Sequence, residues 1–308
     1  MFWAISGLVL VGLSWTLVGI VLGNAPKKGI PPEVMIFFGA AVPTIVGLIV
    51  LHIGILGTVD WSSKAAFWGI FYYGLSAFFN FLMMHLLSLT MQKGPNGIVW
   101  SITQSGMVVT FLCGVIFKGD IVTWVRIAGI LVLLAALLLL GLARNNDTTN
   151  NSRAWVWMAF GCFLLCGINQ TCAMLATYVP EVRDDFNGVA RSVVLNGGAM
   201  IPALCWNIAS KRGEFLNQLS GCIRNKYLWI YVAIQQGFGL IAAYFIQFRC
   251  FDYLSAHNLG SAAYPILVAS CLLGFAFYST FGLREKSSLI QKAGMALCIL
   301  GIVLICMK

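Results

Sequence analysis

Apolar residues run along this chain in stretches of about twenty, each closed by a short polar turn and carrying few charges inside it. Ten such runs can be placed, near residues 2–22, 34–56, 65–90, 95–117, 121–143, 154–179, 189–210, 227–250, 258–281 and 289–307. In hydrocarbon an unpaired backbone N–H or C=O is costly, so a spanning segment is either a helix or a strand of a closed barrel. These runs are too long for barrel strands and lack their alternation of apolar and polar positions. The pattern therefore predicts an all-α membrane protein with ten transmembrane helices.

The pattern also repeats. GPNGIVWSITQSG begins a glycine-led run at Gly94, and GSAAYPILVASC begins another at Gly260. Gly94 stands 26 residues before Asp120 and Gly260 stands 25 before Glu285; in both copies a glycine follows the acid after 9 residues, at Gly129 and Gly294. Two further landmarks fall in the same order. Gly12 and Thr16 match Gly167 and Thr171, and the GAAVP of Gly39–Pro43 matches the GAMIP of Gly198–Pro202. Between the copies lies RNNDTTNNSR, residues 144–153, a stretch with no apolar residue that reads as a linker. The expected organisation is a five-helix half over 1–143, the linker 144–153, and a second five-helix half over 154–308. Five is odd, so the second half must enter the membrane from the opposite side: two inverted five-helix repeats.

Composition narrows the class. Hydrophobic residues make up 60% of the chain, charged residues 9%, and the mean hydropathy is +0.89, more apolar surface than one soluble core can hide. The N-terminus lacks the basic region of a signal peptide and its apolar run is too long for one, so it reads as a retained helix. Of ten cysteines only Cys222 falls in a predicted loop, and no C-x-x-C occurs; reduced thiols among helices are expected, with no metal and no cofactor. The net charge of +9 is spread over loops, so it sets orientation in the lipid bilayer and does not point to nucleic acid. Twelve of the nineteen basic residues fall beside the loops after helices 1, 3, 5, 7 and 9; Lys64, Lys118, Arg126, Arg183, Arg191, Arg249 and Lys308 fall on the other face. This bias favours both termini outside. Arg249 and Asp252 are spaced to pair along helix 8, and Arg126 to snorkel toward headgroups.

Inverted bundles have two near-equivalent packings, open to opposite sides, with a site between the halves near the midplane. All ten acids fall in loops or at helix ends, so coupling through a central carboxylate is not expected. A neutral or zwitterionic solute, held by amides, hydroxyls and aromatic faces, fits better. The candidate solute contacts are Ser14 and Trp15 on helix 1, Tyr73 and Asn80 on helix 3, Ser101 and Gln104 on helix 4, and Asn169 and Gln170 on helix 6. Gln236 and Tyr244 on helix 8, and Tyr264 and Ser270 on helix 9, complete the set. Each of these has a plainer reading as a bond between neighbouring helices. His85 is the titratable group within a helix that could carry a coupled proton. H-E-x-x-H, G-x-S-x-G and paired intramembrane aspartates are absent, so the chain is not expected to be an enzyme.

Two five-helix halves, a short glycine-led fourth helix, and an acid ahead of the glycine-bearing last helix of each half resemble the drug/metabolite transporter superfamily, in its ten-helix EamA-like branch. LNGGAMIPALCWNIASKRGEF and GFGLIAAYFIQFRCFDYL add a likeness to the rhamnose-proton and glucose-uptake carriers of that superfamily. The resemblance implies a secondary active or facilitative carrier of a small polar metabolite, working by alternating access as a monomer or homodimer in a cell or inner membrane. It implies a cavity lined by helices 1, 3, 4, 6, 8 and 9, and termini inside, against the charge bias, which leaves orientation open. The chain departs from the small four-helix multidrug members of the superfamily, whose first helix carries an embedded glutamate; here that helix offers Ser14, Trp15 and Thr16. Two alternatives remain: a sugar-proton symporter, and a flippase for lipids or lipid-linked sugars, for which the loop from Lys211 to Lys226 is the candidate headgroup region.

Overall fold

The computed structural model describes every residue except 92, 94–95, 144–153, 212–213, 279–288 and 308. The linker, Gly94 and Glu285 therefore lie outside the described residues. Among those described, all regular structure is helical: α1 (Phe2–Asn24), α2 (Pro32–Ile53), α3 (Lys64–Met91), α4 (Asn96–Gln104), α5 (Met107–Lys118), α6 (Trp124–Ala143), α7 (Ala154–Ala176), α8 (Pro180–Asp185), α9 (Gly188–Lys211), α10 (Glu214–Ile223), α11 (Lys226–Ile241), α12 (Phe248–Ala256), α13 (Ala263–Phe277) and α14 (Leu289–Cys306). Helix occupies each of the ten apolar runs. Among the described residues five helical stretches, Glu33–Ile53, Lys64–Leu87, Ala154–Ala176, Gly188–Ala209 and Lys226–Ala256, are long and apolar enough to cross a membrane, and five shorter apolar helices accompany them.

Three departures from the sequence expectation have local causes. The run 95–117 is broken between α4 and α5, where Gly106 lets the backbone come close to α7: a Cβ there would sit 2.7 Å from the Phe163 carbonyl oxygen. The eighth run extends to Ala256, because α11 and α12 are joined without a break by a π-helical segment, Ala242–Gln247. The loop after α9 holds the short helix α10, whose Phe215 and Cys222 are buried against Ile30, Met35 and Leu228. Cys222 is thus a core residue, and burial raises its thiol pKa above the ordinary range.

Small residues set where the helix backbones meet. α1 lies along α13, α7 along α3 and α5, α2 along α9, and α6 along α14. Gly12 admits α13 so closely that a Cβ would stand 2.6 Å from the Ser270 Cβ; Gly167 does the same for α5, 2.7 Å from the Val109 Cβ. The threonines four residues on complete each contact. Thr16 Oγ1 donates to the Cys271 carbonyl at 3.2 Å, and Thr171 Oγ1 donates to Thr110 Oγ1 at 3.4 Å. Inside α2, Pro43 has no N–H to give the Gly39 carbonyl. Gln236 Nε2 of α11 donates to that carbonyl at 2.5 Å instead.

Candidate functional site

The predicted contacts divide by burial. Asn80 and Asn169 meet in a half-buried seam between α3 and α7, where Asn169 Nδ2 donates to Asn80 Oδ1 at 3.3 Å and Ser76 Oγ donates to Asn169 Oδ1 at 2.6 Å. Ser76 and Asn80 stand one turn apart on α3 and so share a face, which is why one asparagine of α7 reaches both. This network uses both atoms of the Asn169 amide and leaves the Asn80 Nδ2 hydrogens with no partner among the described residues. An amide donor held in place by its own acceptor bond suits a hydroxyl or carbonyl oxygen of a solute.

Gln236 does not join that seam. It is held by the Gly39 carbonyl, with Gln235 alongside at 3.0 Å from where a Gly39 Cβ would lie. Ser14 Oγ donates to the Val11 carbonyl and Ser270 Oγ to the Ile266 carbonyl, each bonding within its own helix, while Trp15 packs against the main core. Tyr73, Gln170, Tyr264 and Ser270 are sealed inside the bundle. Tyr73 stands edge-on to Phe248 with centroids 5.6 Å apart, Tyr264 lies against Phe251 at 5.1 Å, and Gln170 Nε2 donates to Cys166 Sγ at 3.3 Å. Gln104 is half-buried, and the Ser101 side chain lies outside the described residues. His85 is flanked by the rings of Phe81 and Trp206, at 6.3 and 4.9 Å.

Two polar clusters escaped the sequence reading. At the end of α5, Gly119 takes a left-handed φ of 67° and the Asp120 N–H closes back onto the Gly114 carbonyl at 3.2 Å, a helix-ending turn that fixes the aspartate. Its carboxylate accepts from Tyr178 Oη at 2.5 and 2.6 Å and from the Ser261 N–H at 2.6 Å, at the N-terminal turn leading into α13. Asp120 is only 5% exposed. A carboxylate is favoured there because helix N-termini carry partial positive charge. Burial and the neighbouring carboxylate push the Tyr178 phenol far above its ordinary range, so it stays a donor.

The second cluster corrects two expectations. Asp252 does not pair with Arg249; both its oxygens accept from Arg191 Nη1, at 2.7 and 2.8 Å. The same guanidinium donates through Nε to the Phe186 carbonyl and through Nη2 to those of Val182 and Arg183, stitching the end of α8 to α9 and α12. Nor does Arg126 snorkel. It is 4% exposed, with Nη1 donating to the Ile121 carbonyl at 2.5 Å. The signal was present in both cases: each arginine is a lone charge beside a helix start in an apolar chain, and neither can be left without partners.

No family model and no curated protein matches the chain. Twenty-eight chains of solved structures do. One, described as "Crystal structure of protein", superposes with a TM-score of 0.66 over 98% of this chain and 95% of its own, at 15% identity. At that identity the likeness is one of fold alone.

Proposed function

We propose that the chain is a ten-helix transporter of a small polar solute, built as two inverted five-helix halves of the drug/metabolite transporter type and working by alternating access. The observation that carries this reading is that the packing partners come in mates when the halves are exchanged. α1 on α13 has its mate in α7 on α5; α1 on α11 in α7 on α3; α2 on α11 in α9 on α3; α4 on α6 in α13 on α14. The residues at those contacts correspond as well. Gly12 and Gly167 open the first pair, while Gly39 faces Gln235 of α11 and Gly198 faces Ala77 of α3. A bundle whose contacts are duplicated in this way has a second packing of similar energy, which is the physical requirement for exposing one site to two sides.

The Ser76–Asn169–Asn80 seam is the solute contact in this reading, and Gln236 serves the backbone of α2. Counterflow in proteoliposomes, run over sugars, amino acids and nucleosides, tests the proposal. One chemical class exchanges, and Asn169→Ala abolishes that exchange while melting at the normal temperature. Exchange that survives in both Asn80→Ala and Asn169→Ala removes the seam from the path. No exchange of any class by well-folded protein removes the transporter reading itself.

A further inference from the structure

Three of the seven basic residues that the sequence reading assigns to the N-terminal face line one cavity of about 210 Å³. Arg183, Arg191 and Arg249 line it with Asp252, so its charged groups sum to a positive excess. The start of α9, Gly188 and Val189, forms part of the wall beside Asn187, whose Oδ1 accepts the Ala190 N–H at 2.9 Å. The π-helical segment supplies Tyr244 and Phe245; Phe245 is 45% exposed and stands at the rim. Arg191, 1% exposed, is saturated: its five N–H donors go to Asp252 and three carbonyls. It sets the floor of the cavity and its charge, and it leaves Asp252 engaged. Arg249 is exposed and has no partner among the described residues. Arg183 gives Nε to Asp184 at 3.1 Å, an exposed pair that a stronger acceptor can displace.

We propose that this cavity binds a phosphate group, with Arg249 and Arg183 as the donors that close on it. Guanidinium forks match phosphate oxygens in pairs, and a net positive cavity with aromatic walls offsets part of the desolvation of such an anion. The volume is below the roughly 300–1,000 Å³ of pockets that enclose drug-sized ligands, so the site takes a headgroup or a free small anion and not a whole metabolite. The proposal is independent of the transport reading, since it uses none of the seam residues.

The test uses full-length protein in phosphatidylcholine nanodiscs with or without phosphatidic acid, and in detergent with or without inorganic phosphate. Retained lipid is read by native mass spectrometry, and soluble binding by melting temperature. Wild-type protein retains phosphatidic acid over phosphatidylcholine, gains melting temperature with inorganic phosphate, or does both; lipid alone identifies a headgroup site, and soluble phosphate an anion site. Arg249→Gln and Arg183→Gln each weaken the response about tenfold, the effect of one lost charge-assisted pair. Lys64→Gln, an exposed charge on the same face that does not line the cavity, leaves it unchanged. No preference for either probe, a wild-type response in both arginine variants, or an equal loss in Lys64→Gln overturns the proposal.

Discussion

α7 carries two polar clusters, one at Asn169 and one just past its end at Thr177 and Tyr178, and they are put to opposite uses. At Tyr178 every group is closed: the phenol and the Ser261 N–H both donate to Asp120, and Thr177 and Ser255 hydroxyls bond each other at 2.5 Å. Gly114 and Gly260 leave the room these groups fill, since a Cβ on either would stand within 2.9 Å of Asp120 or Tyr178 oxygens. At Asn169 the seam is half-buried and the Asn80 donors are open. A closed cluster contributes to stability and offers a ligand nothing; an open one contributes little and can trade partners. Similar side chains thus divide by what surrounds them.

The largest expected effect breaks the closed cluster. Asp120→Ala strands a half-buried phenol and the buried Ser261 N–H, the latter worth about 1–3 kcal/mol when left unpaired. The melting temperature in detergent falls by several degrees or more, and Asp120→Asn, which keeps an acceptor, falls less. An Asp120→Ala protein that melts like wild type shows the cluster is not holding α5 to α13. The same cluster adds an alkaline limit. The Tyr178 pKa is raised in the folded state, so its contribution is full below the ordinary phenol value near 10 and is lost as pH climbs toward the folded value. Tyr178→Phe removes that alkaline loss.

Next comes the backbone between the clusters. Gly167→Ala places a methyl 2.7 Å from the Val109 Cβ, and Gly12→Ala places one 2.6 Å from the Ser270 Cβ. Overpacking of this kind costs about 1–3 kcal/mol. If the halves are mates, the two variants lose similar stability in parallel melts. A large loss in one and none in the other separates them.

The inverse of the first prediction is Asn169→Ala. Hydrogen bonds between membrane helices average about 0.6 kcal/mol, so its melting temperature moves little. On the proposed transporter reading, solute exchange, by contrast, is lost. Stability and transport therefore respond in opposite order at Asp120 and Asn169, and equal effects on both readouts at both sites would erase the distinction between the clusters.

Helix placement was legible because run length and apolarity act locally, and the landmarks Gly12, Gly39, Gly167 and Gly198 were legible because close approach demands glycine wherever it occurs. Side-chain partners were not. Arg191 and Asp252 are 61 residues apart, and Asp120 and Ser261 are 141 apart, separations that no local spacing encodes. Arg249 and Asp252 looked like partners on helical spacing alone, but Arg191 is buried and its need for a counter-charge is greater than that of an exposed arginine. Gln236 drew attention as a polar residue in lipid. Its partner followed from Pro43 on another helix, whose missing N–H frees the carbonyl four residues earlier.

The smallest expected effect lies outside both clusters, at Lys64 and Glu181, where Nζ and Oε1 meet at 2.5 Å with side chains 70% and 34% exposed. This contact is as short as any in the Asp120 cluster, so geometry alone would rank the two together. Solvent separates them: an exposed pair is screened and costs side-chain entropy to hold. The hydrogen bond from Lys64 lowers the Glu181 pKa, so whatever the pair contributes is present above the ordinary glutamate value near 4.5 and is lost as pH falls through the lower folded one. Lys64→Gln at neutral pH therefore leaves the melting temperature within error, and raising salt does nothing further. Should Lys64→Gln destabilise the protein as much as Asp120→Ala, burial would not be what divides the closed cluster from the rest of the polar surface.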